Sequence, residues 1–175
     1  MNGTGQTLLT LAALALLSVL TLNANRLILG SFQNQLATKQ TVAAMIQGNS
    51  LLEEIQSKAF DQAVASKSGV GKRSKSAGIT VADLKAPPLG PESGERYPFN
   101  DLDDYNGYTC KAWNPLFFDS LSLSTTVFYV TASDPSTQSS VRTSLKKVIV
   151  KVTAKGMVTA AGKQDTLAFQ QVVYQ

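Results

Sequence analysis

The sequence predicts an α+β protein in which one long N-terminal helix packs on a small antiparallel β-sheet. Two observations predict this class. An apolar run at 8–22 leads into residues with apolar side chains at helical spacing as far as about 65. After residue 99, short runs rich in β-branched and aromatic residues alternate with turn signals. The expected parts are a membrane helix at 6–30, an amphipathic helix at 31–65, a connecting loop at 66–98 and a β-rich head at 99–175.

The segment 6–30 has the length and composition of a transmembrane helix, which needs about 20 apolar residues. Between Leu8 and Leu22 the only polar residues are Thr and Ser, and no charge precedes Arg26. A secretory signal peptide would have a basic start and a shorter apolar run, whereas MNGTG has neither Lys nor Arg. A buried core helix would need more protein around it than this chain offers. We therefore expect membrane insertion.

The helical pattern continues from Ser31 to about Ala65, a stretch without proline and with one glycine. Its apolar residues recur at steps of mostly three, four or seven, as on one face of an α-helix. Glu54 and Lys58 stand at i and i+4 on the other face, in the favourable order. The sequence therefore predicts a helix from about Gln6 to about Ala65, whose second half covers one face of the sheet.

Four strands are expected in an antiparallel arrangement, with a turn at Ala161–Lys163 before the last of them. They span Tyr108–Trp113, Ser124–Ser133, Ser144–Ala154 and Thr166–Tyr174. In the third, Val148, Val150 and Val152 alternate with Lys147 and Lys151, which predicts one buried and one solvated face. The aromatic patch Trp113–Phe118 has two interpretations, core packing or a contact with a partner.

Several functional classes are disfavoured by composition. The chain has no histidine and one cysteine, Cys110, which removes Ser-His-Asp triads, Cys-His dyads and most zinc sites. The net charge of +4 is mild, and the basic cluster at 67–75 has no aromatic residues interleaved with it. The segment GVGKRSKS lacks the spacing of a phosphate-binding loop. We therefore expect no enzymatic activity, and nucleic acid is not specifically predicted as a partner.

An acidic segment carries the one candidate metal site in the sequence. Asp101, Asp103, Asp104 and Asn106 place four oxygen-bearing side chains directly before Gly107. Calcium prefers such oxygen ligands, although the spacing is not that of an EF-hand. The alternative is a plain acidic turn, in which Asp and Asn supply turn chemistry. No cofactor is expected apart from this candidate calcium ion.

The chain resembles the type IV pilin-like proteins, which include type IV pilins and the pseudopilins of type II secretion systems. Gly5–Thr10 (GQTLLT) is similar to the prepilin cleavage motif, and the helix leading into an antiparallel sheet is similar to the family architecture. The segment Phe99–Tyr108 (FNDLDDYNGY) resembles an acidic segment found in some prepilin-like proteins. The resemblance implies a leader at 1–5, processing between Gly5 and Gln6 by a prepilin peptidase, and a pilin-like fold.

The resemblance also implies a filament subunit that waits in the bacterial inner membrane and then joins a cell-surface or periplasmic filament. Its partners would be copies of itself or other pilin-like subunits, joined by helix packing. The implied assembly residues are Leu8, Leu9, Leu11, Ala12, Ala15, Leu16 and Val19. Two departures stand out: Gln6 replaces an apolar residue, and Thr10 replaces the usual glutamate. The second departure indicates a minor or tip subunit, or a protein that is not a true pilin. The alternative is a monomeric membrane-anchored binding module with an extracytoplasmic β head.

Overall fold

A computed structural model describes residues 3–68, 78–114, 119–158 and 164–175. In these residues the helices are α1 (Gly3–Ser57), α2 (Gln62–Ser68) and two short 3-10 helices (Val81–Asp83 and Asp103–Tyr105). The strands are β1 (Thr109–Asn114), β2 (Asp119–Tyr129), β3 (Leu145–Val158) and β4 (Gln164–Tyr174). The chain divides into two compact units, residues 1–39 and 40–175, which are described separately.

The described part of the first unit is helical throughout and has no buried residue. Among the described residues, α1 is the one helix long and apolar enough to cross a membrane, and none of its apolar window is buried. Because leucine and valine side chains are exposed around the whole helix, this segment needs an apolar environment. The predicted apolar helix near the N-terminus is confirmed.

The second unit, called the head below, is built on a four-stranded antiparallel sheet formed by the described strands in the order β1-β2-β3-β4. In the pairing of β2 with β3, Val127 faces Val148 and Leu123 faces Val152. These four side chains are at most 3% exposed. Alternate residues of each strand therefore point into one core, as the predicted alternation in β3 requires.

The second half of the long helix covers this face of the sheet, which confirms the predicted α+β arrangement. Its buried residues are Ala44, Gly48, Leu51, Leu52 and Ile55. At Gly48 the helix backbone comes so close to the sheet that an added Cβ would lie 2.3 Å from Phe169 Cε2 and 3.0 Å from Val152 Cγ2. The missing side chain of Gly48 is therefore what permits the close approach of α1 to β3 and β4.

The helix ends eight residues before the predicted boundary near Ala65. At Ala59 the backbone leaves the helix and forms a parallel bridge with Asp101. Ala59 N donates to Asn100 O at 3.3 Å, and Leu102 N donates to Ala59 O at 3.0 Å. Asp61 then starts α2, since its Oδ1 accepts a hydrogen bond from Ala63 N at 3.1 Å. Periodicity did not indicate this break because the apolar spacing runs through it.

The strands differ from the predicted ones mainly at their ends. Strand β2 begins at Asp119 and ends at Tyr129, five residues before the predicted start and four before the predicted end. Val130 and Thr131 continue the β-branched pattern, but the antiparallel register with β3 stops at Tyr129 opposite Lys146. The predicted turn at 161–163 and residues 115–118 of the aromatic patch lie outside the described residues. Trp113, at the start of that patch, is 62% exposed.

We predict that Gly48→Ala destabilises the head by up to about 2 kcal/mol. The added methyl group forces Phe169 and Val152 to move, at a cost of about 1–3 kcal/mol, while the gain in helix propensity is about 1 kcal/mol. Gly30→Ala is the matched control, because a Cβ there meets nothing within 4 Å. Urea unfolding of the full chain in detergent, followed by near-ultraviolet circular dichroism, measures both. Equal stability of the two variants would show that Gly48 is not needed for close packing.

Candidate functional site

The residues predicted for assembly lie on the exposed surface of α1. They are Leu8, Leu9, Leu11, Ala12, Ala15, Leu16 and Val19. The five large side chains among them are between 55% and 72% exposed. A continuous apolar surface of this kind is unfavourable in water and is typical of a segment that contacts lipid or other helices. The alanines provide places where another helix can approach closely.

The predicted processing residues, Gly5 and Gln6, lie in the first turns of α1 and are exposed. Thr10, where the resemblance would place a glutamate, bonds within its own helix. Its hydroxyl lies 2.9 Å from Thr7 O and 3.2 Å from Gln6 O, and both are acceptors. This position therefore carries a neutral side chain whose hydroxyl is already satisfied by the helix backbone.

Within the head, the acidic segment forms a tight turn followed by the 3-10 helix Asp103–Tyr105. Asp101 Oδ1 accepts hydrogen bonds from the backbone N–H groups of Asp103 at 2.7 Å and Asp104 at 3.3 Å. Asn106 donates from its amide to Leu89 O at 2.9 Å and accepts from Val127 N at 3.0 Å. This is the turn chemistry of Asp and Asn that the sequence offered as the alternative to a metal site.

Tyr105 fastens this segment to the long helix. Its ring is fully buried, and its hydroxyl donates to Glu54 Oε1 of α1 at 2.7 Å. Phe99 lies edge-on to that ring with centroids 4.9 Å apart, and Tyr108 does so at 5.8 Å. Aromatic packing and one charge-assisted hydrogen bond therefore fix the acidic segment in place.

A fully buried lysine, Lys146 of β3, lies at the centre of the head. Its Nζ donates to Phe60 O at 2.7 Å, to Asp61 Oδ2 at 3.0 Å and to Asp103 Oδ2 at 2.9 Å. The ammonium also lies 4.3 Å from the centroid of the Phe60 ring and 5.0 Å from that of Tyr129. All three donor hydrogens thus have partners, as a buried ammonium requires.

One ammonium group lies between two carboxylates and cannot neutralise both. Although burial raises the pKa of Asp61, Lys146 and the backbone N–H groups of Lys85 and Ala63 lower that pKa below its ordinary value. Burial raises the pKa of Asp103 to about 7, because the opposing effect of Lys146 is smaller than the cost of desolvation. Asp61 is therefore the ionised partner of Lys146, and Asp103 is the weaker acid of the two.

A second group of carboxylates, called the carboxylate cluster below, consists of Glu92, Glu95 and Asp104. One carboxylate oxygen from each lies within 4.8 Å of the other two. One turn holds both glutamates, since Glu95 N donates to Glu92 O at 3.0 Å. Lys85 Nζ lies 2.7 Å from Glu92 Oε1 and also contacts Gly90 O. Three acidic groups thus share a small volume with one lysine.

The carboxylate cluster is electrostatically crowded. Burial and contact with Glu92 raise the pKa of Glu95 to about 7. Burial and the nearby charge of Asp101 raise the pKa of Asp104 to about 6. Burial also raises the pKa of Glu92, but the hydrogen bond and charge of Lys85, together with hydrogen bonds to Glu95 and Asp104, leave that pKa below its ordinary value. The positive charge near Glu95 and Asp104 is therefore too small to offset the effects of burial and of the neighbouring carboxylates on their pKa values.

The structure separates the predicted calcium ligands into different roles. Asp103 contacts Lys146, and Asn106 is held by Leu89 and Val127, whereas Asp104 belongs to the carboxylate cluster. The sequence interpretation did not single out Glu92 and Glu95, which lie in the region predicted as a loop. It also did not predict that Lys146 is buried. Lys146 is two residues from Val148 in β3, so its side chain lies on the same, buried face of the sheet.

We predict that Lys146→Met lowers the free energy of unfolding by about 3–5 kcal/mol, because it leaves two buried carboxylates without their cation. Lys147→Met, one residue along on the other face of β3, is the control and should change stability by about 0.5 kcal/mol or less. Urea unfolding in detergent, monitored by near-ultraviolet circular dichroism, compares them. Asp103→Asn combined with Lys146→Met should recover part of the loss. A Lys146→Met variant as stable as the control would contradict the central role of Lys146.

Comparison of the chain with models of known protein families, with curated proteins and with solved structures found no match. The features that bear on function are therefore those of the chain itself. They are an exposed apolar helix that continues into a covered sheet, a buried lysine and a crowded group of carboxylates.

Proposed function

We propose that this chain is a non-enzymatic structural subunit of a type IV pilus-like filament or secretion pseudopilus, assembled through its N-terminal helix. The observation that carries the proposal is that α1 has an exposed apolar first part and a second part that is buried in the head. Its first part exposes apolar side chains on every side, and residues 44–55 of the same helix are built into the core of the head. Residues of a single helix, Gly3–Ser57, thus belong to both the apolar segment and the folded domain.

This arrangement of α1 favours assembly over simple tethering. A tether needs an apolar span, but it does not need the same helix to supply part of the hydrophobic core of the domain it holds. Small residues in the apolar part, such as Ala12 and Ala15, allow helix backbones to approach one another. In the proposed filament, contacts between neighbouring helices replace the contacts with lipid, and the heads form the outer surface.

Thr10 supports a place as a minor subunit within such a filament. The resemblance implies that a glutamate at this position pairs with the N-terminal amine of a neighbouring subunit. Thr10 carries no charge, and its hydroxyl is already bonded to the backbone of α1. A subunit that lacks this ionic contact is suited to a position with fewer neighbours. The proposed location is the bacterial inner membrane before assembly and a surface or periplasmic filament afterwards.

We predict that the protein from its native host begins at Gln6. Intact mass and N-terminal sequencing of the membrane fraction and of material sheared from the cell surface measure this directly. Gly5→Val should retain residues 1–5, because the resemblance places the cleavage after Gly5, and Gly3→Val should still be processed. A chain that begins at Met1 and occurs in membranes alone would favour the membrane-anchored binding module instead.

We also predict that cysteines in the apolar helix cross-link neighbouring subunits. In a Cys110→Ser background, Ala12→Cys or Ala15→Cys should give covalent oligomers on oxidation of the sheared fraction, because packed helices bring such positions within reach of a disulfide. Glu53→Cys, on the exposed surface of the head, is the matched control. If neither helix cysteine cross-links more than the control, the helix does not mediate assembly.

A further inference from the structure

The carboxylate cluster has the geometry to surround a single ion. Glu92 and Glu95 come from one turn and Asp104 from the 3-10 helix at Asp103–Tyr105. One oxygen from each lies within 4.8 Å of the others. An ion at the centre of three such oxygens lies about 2.8 Å or less from each, so small side-chain rotations bring all three to the calcium–oxygen distance of about 2.3–2.6 Å.

Two carboxylate oxygens in this cluster are buried without hydrogen-bond partners among the described residues. Asp104 is 1% exposed, and its Oδ2 accepts hydrogen bonds from the backbone of Asn100 at 3.3 Å and Asp101 at 3.2 Å. Its other oxygen, Oδ1, is buried and has no hydrogen-bond partner among the described residues; the same holds for Glu92 Oε2. A buried carboxylate oxygen without a donor is costly, which points to a ligand that supplies positive charge.

The charge of the cluster matches that of a divalent cation. When ionised, the three carboxylates carry three negative charges, and Lys85 offsets one of them through Glu92. Two negative charges then remain, and one divalent ion neutralises them. The donors are all carboxylate oxygens, which favour hard cations over zinc or copper. Calcium accepts irregular sets of oxygen ligands completed by water, whereas magnesium demands a near-octahedral arrangement.

We propose that Glu92, Glu95 and Asp104 form a calcium site that joins the connecting loop to the acidic segment. The site shares Asp104 with the ligand set predicted from the sequence but replaces Asp103 and Asn106, whose polar groups are bonded elsewhere. Calcium there holds the turn that carries Glu92 and Glu95 against the 3-10 helix. The proposal does not depend on the filament function, since it rests on the head alone.

The test uses the full chain in detergent, stripped with EGTA and then titrated with calcium chloride. We expect saturable binding of one calcium ion by isothermal titration calorimetry and a melting temperature that rises by several degrees. Glu95→Gln should weaken the binding about tenfold or more, because it removes one of three charged ligands while an amide oxygen still accepts from Glu92 N. Glu53→Gln, an exposed glutamate of α1, is the matched control and should bind calcium normally.

The melting temperature in EGTA separates a ligand role from a structural one. If Glu95 is a calcium ligand, Glu95→Gln relieves repulsion in the calcium-free protein, so its melting temperature in EGTA equals or exceeds that of the unsubstituted chain. The proposal would be overturned if Glu95→Gln melted well below the unsubstituted chain in EGTA and its melting temperature rose as much as that of the unsubstituted chain on adding calcium. Absence of saturable binding to the unsubstituted chain at millimolar calcium, or equal binding by Glu95→Gln, would also overturn it.

Discussion

The head depends on the placement of one ammonium group in its interior. Lys146 is the point at which strand β3, the end of the long helix and the acidic segment meet, through Phe60 O, Asp61 and Asp103. Burying an ammonium costs several kcal/mol unless its hydrogens are all bonded to suitable acceptors. The backbone break after α1 and the turn at Asp101 together supply those acceptors. The ion network and the bridge between Ala59 and Asp101 thus both lie directly after the end of the helix.

The same network explains why the acidic segment is tightly folded rather than solvated. Asp61 accepts from Lys85 N at 2.9 Å and Tyr129 donates to Lys85 O at 2.9 Å, so the connecting loop is tied to the group that holds Lys146. Asp103 is the third acceptor of Lys146 in this network. The next residue, Asp104, is buried and belongs to the carboxylate cluster. The ion pair of Lys146 with Asp103 thus lies one residue from a member of the carboxylate cluster.

The sequence predicted the parts of this fold that depend on periodicity and missed those that depend on single polar contacts. Alternation in β3 placed Val148, Val150 and Val152 correctly. Helical spacing predicted that the second half of α1 covers the sheet, but of the apolar face it indicated, Leu52 and Ile55 are buried whereas Ile46 is 61% exposed. The break at Ala59 was missed because it follows from backbone pairing with Asp101, distant in sequence. Glu92 and Asp104 are twelve residues apart and meet through tertiary packing, so no local pattern indicates that they form one cluster.

The buried residues of α1 are confined to its second half. None of the described residues between 3 and 39 is buried, and the described core of the head begins at Ala44. Moving the apolar part from lipid to a bundle of helices therefore removes no contact from that core. The head keeps its stability through Gly48, Tyr105 and Lys146, all of which act within residues 40–175. The proposed passage from a membrane to a filament requires this separation, because the apolar helix must change its surroundings while the head remains folded.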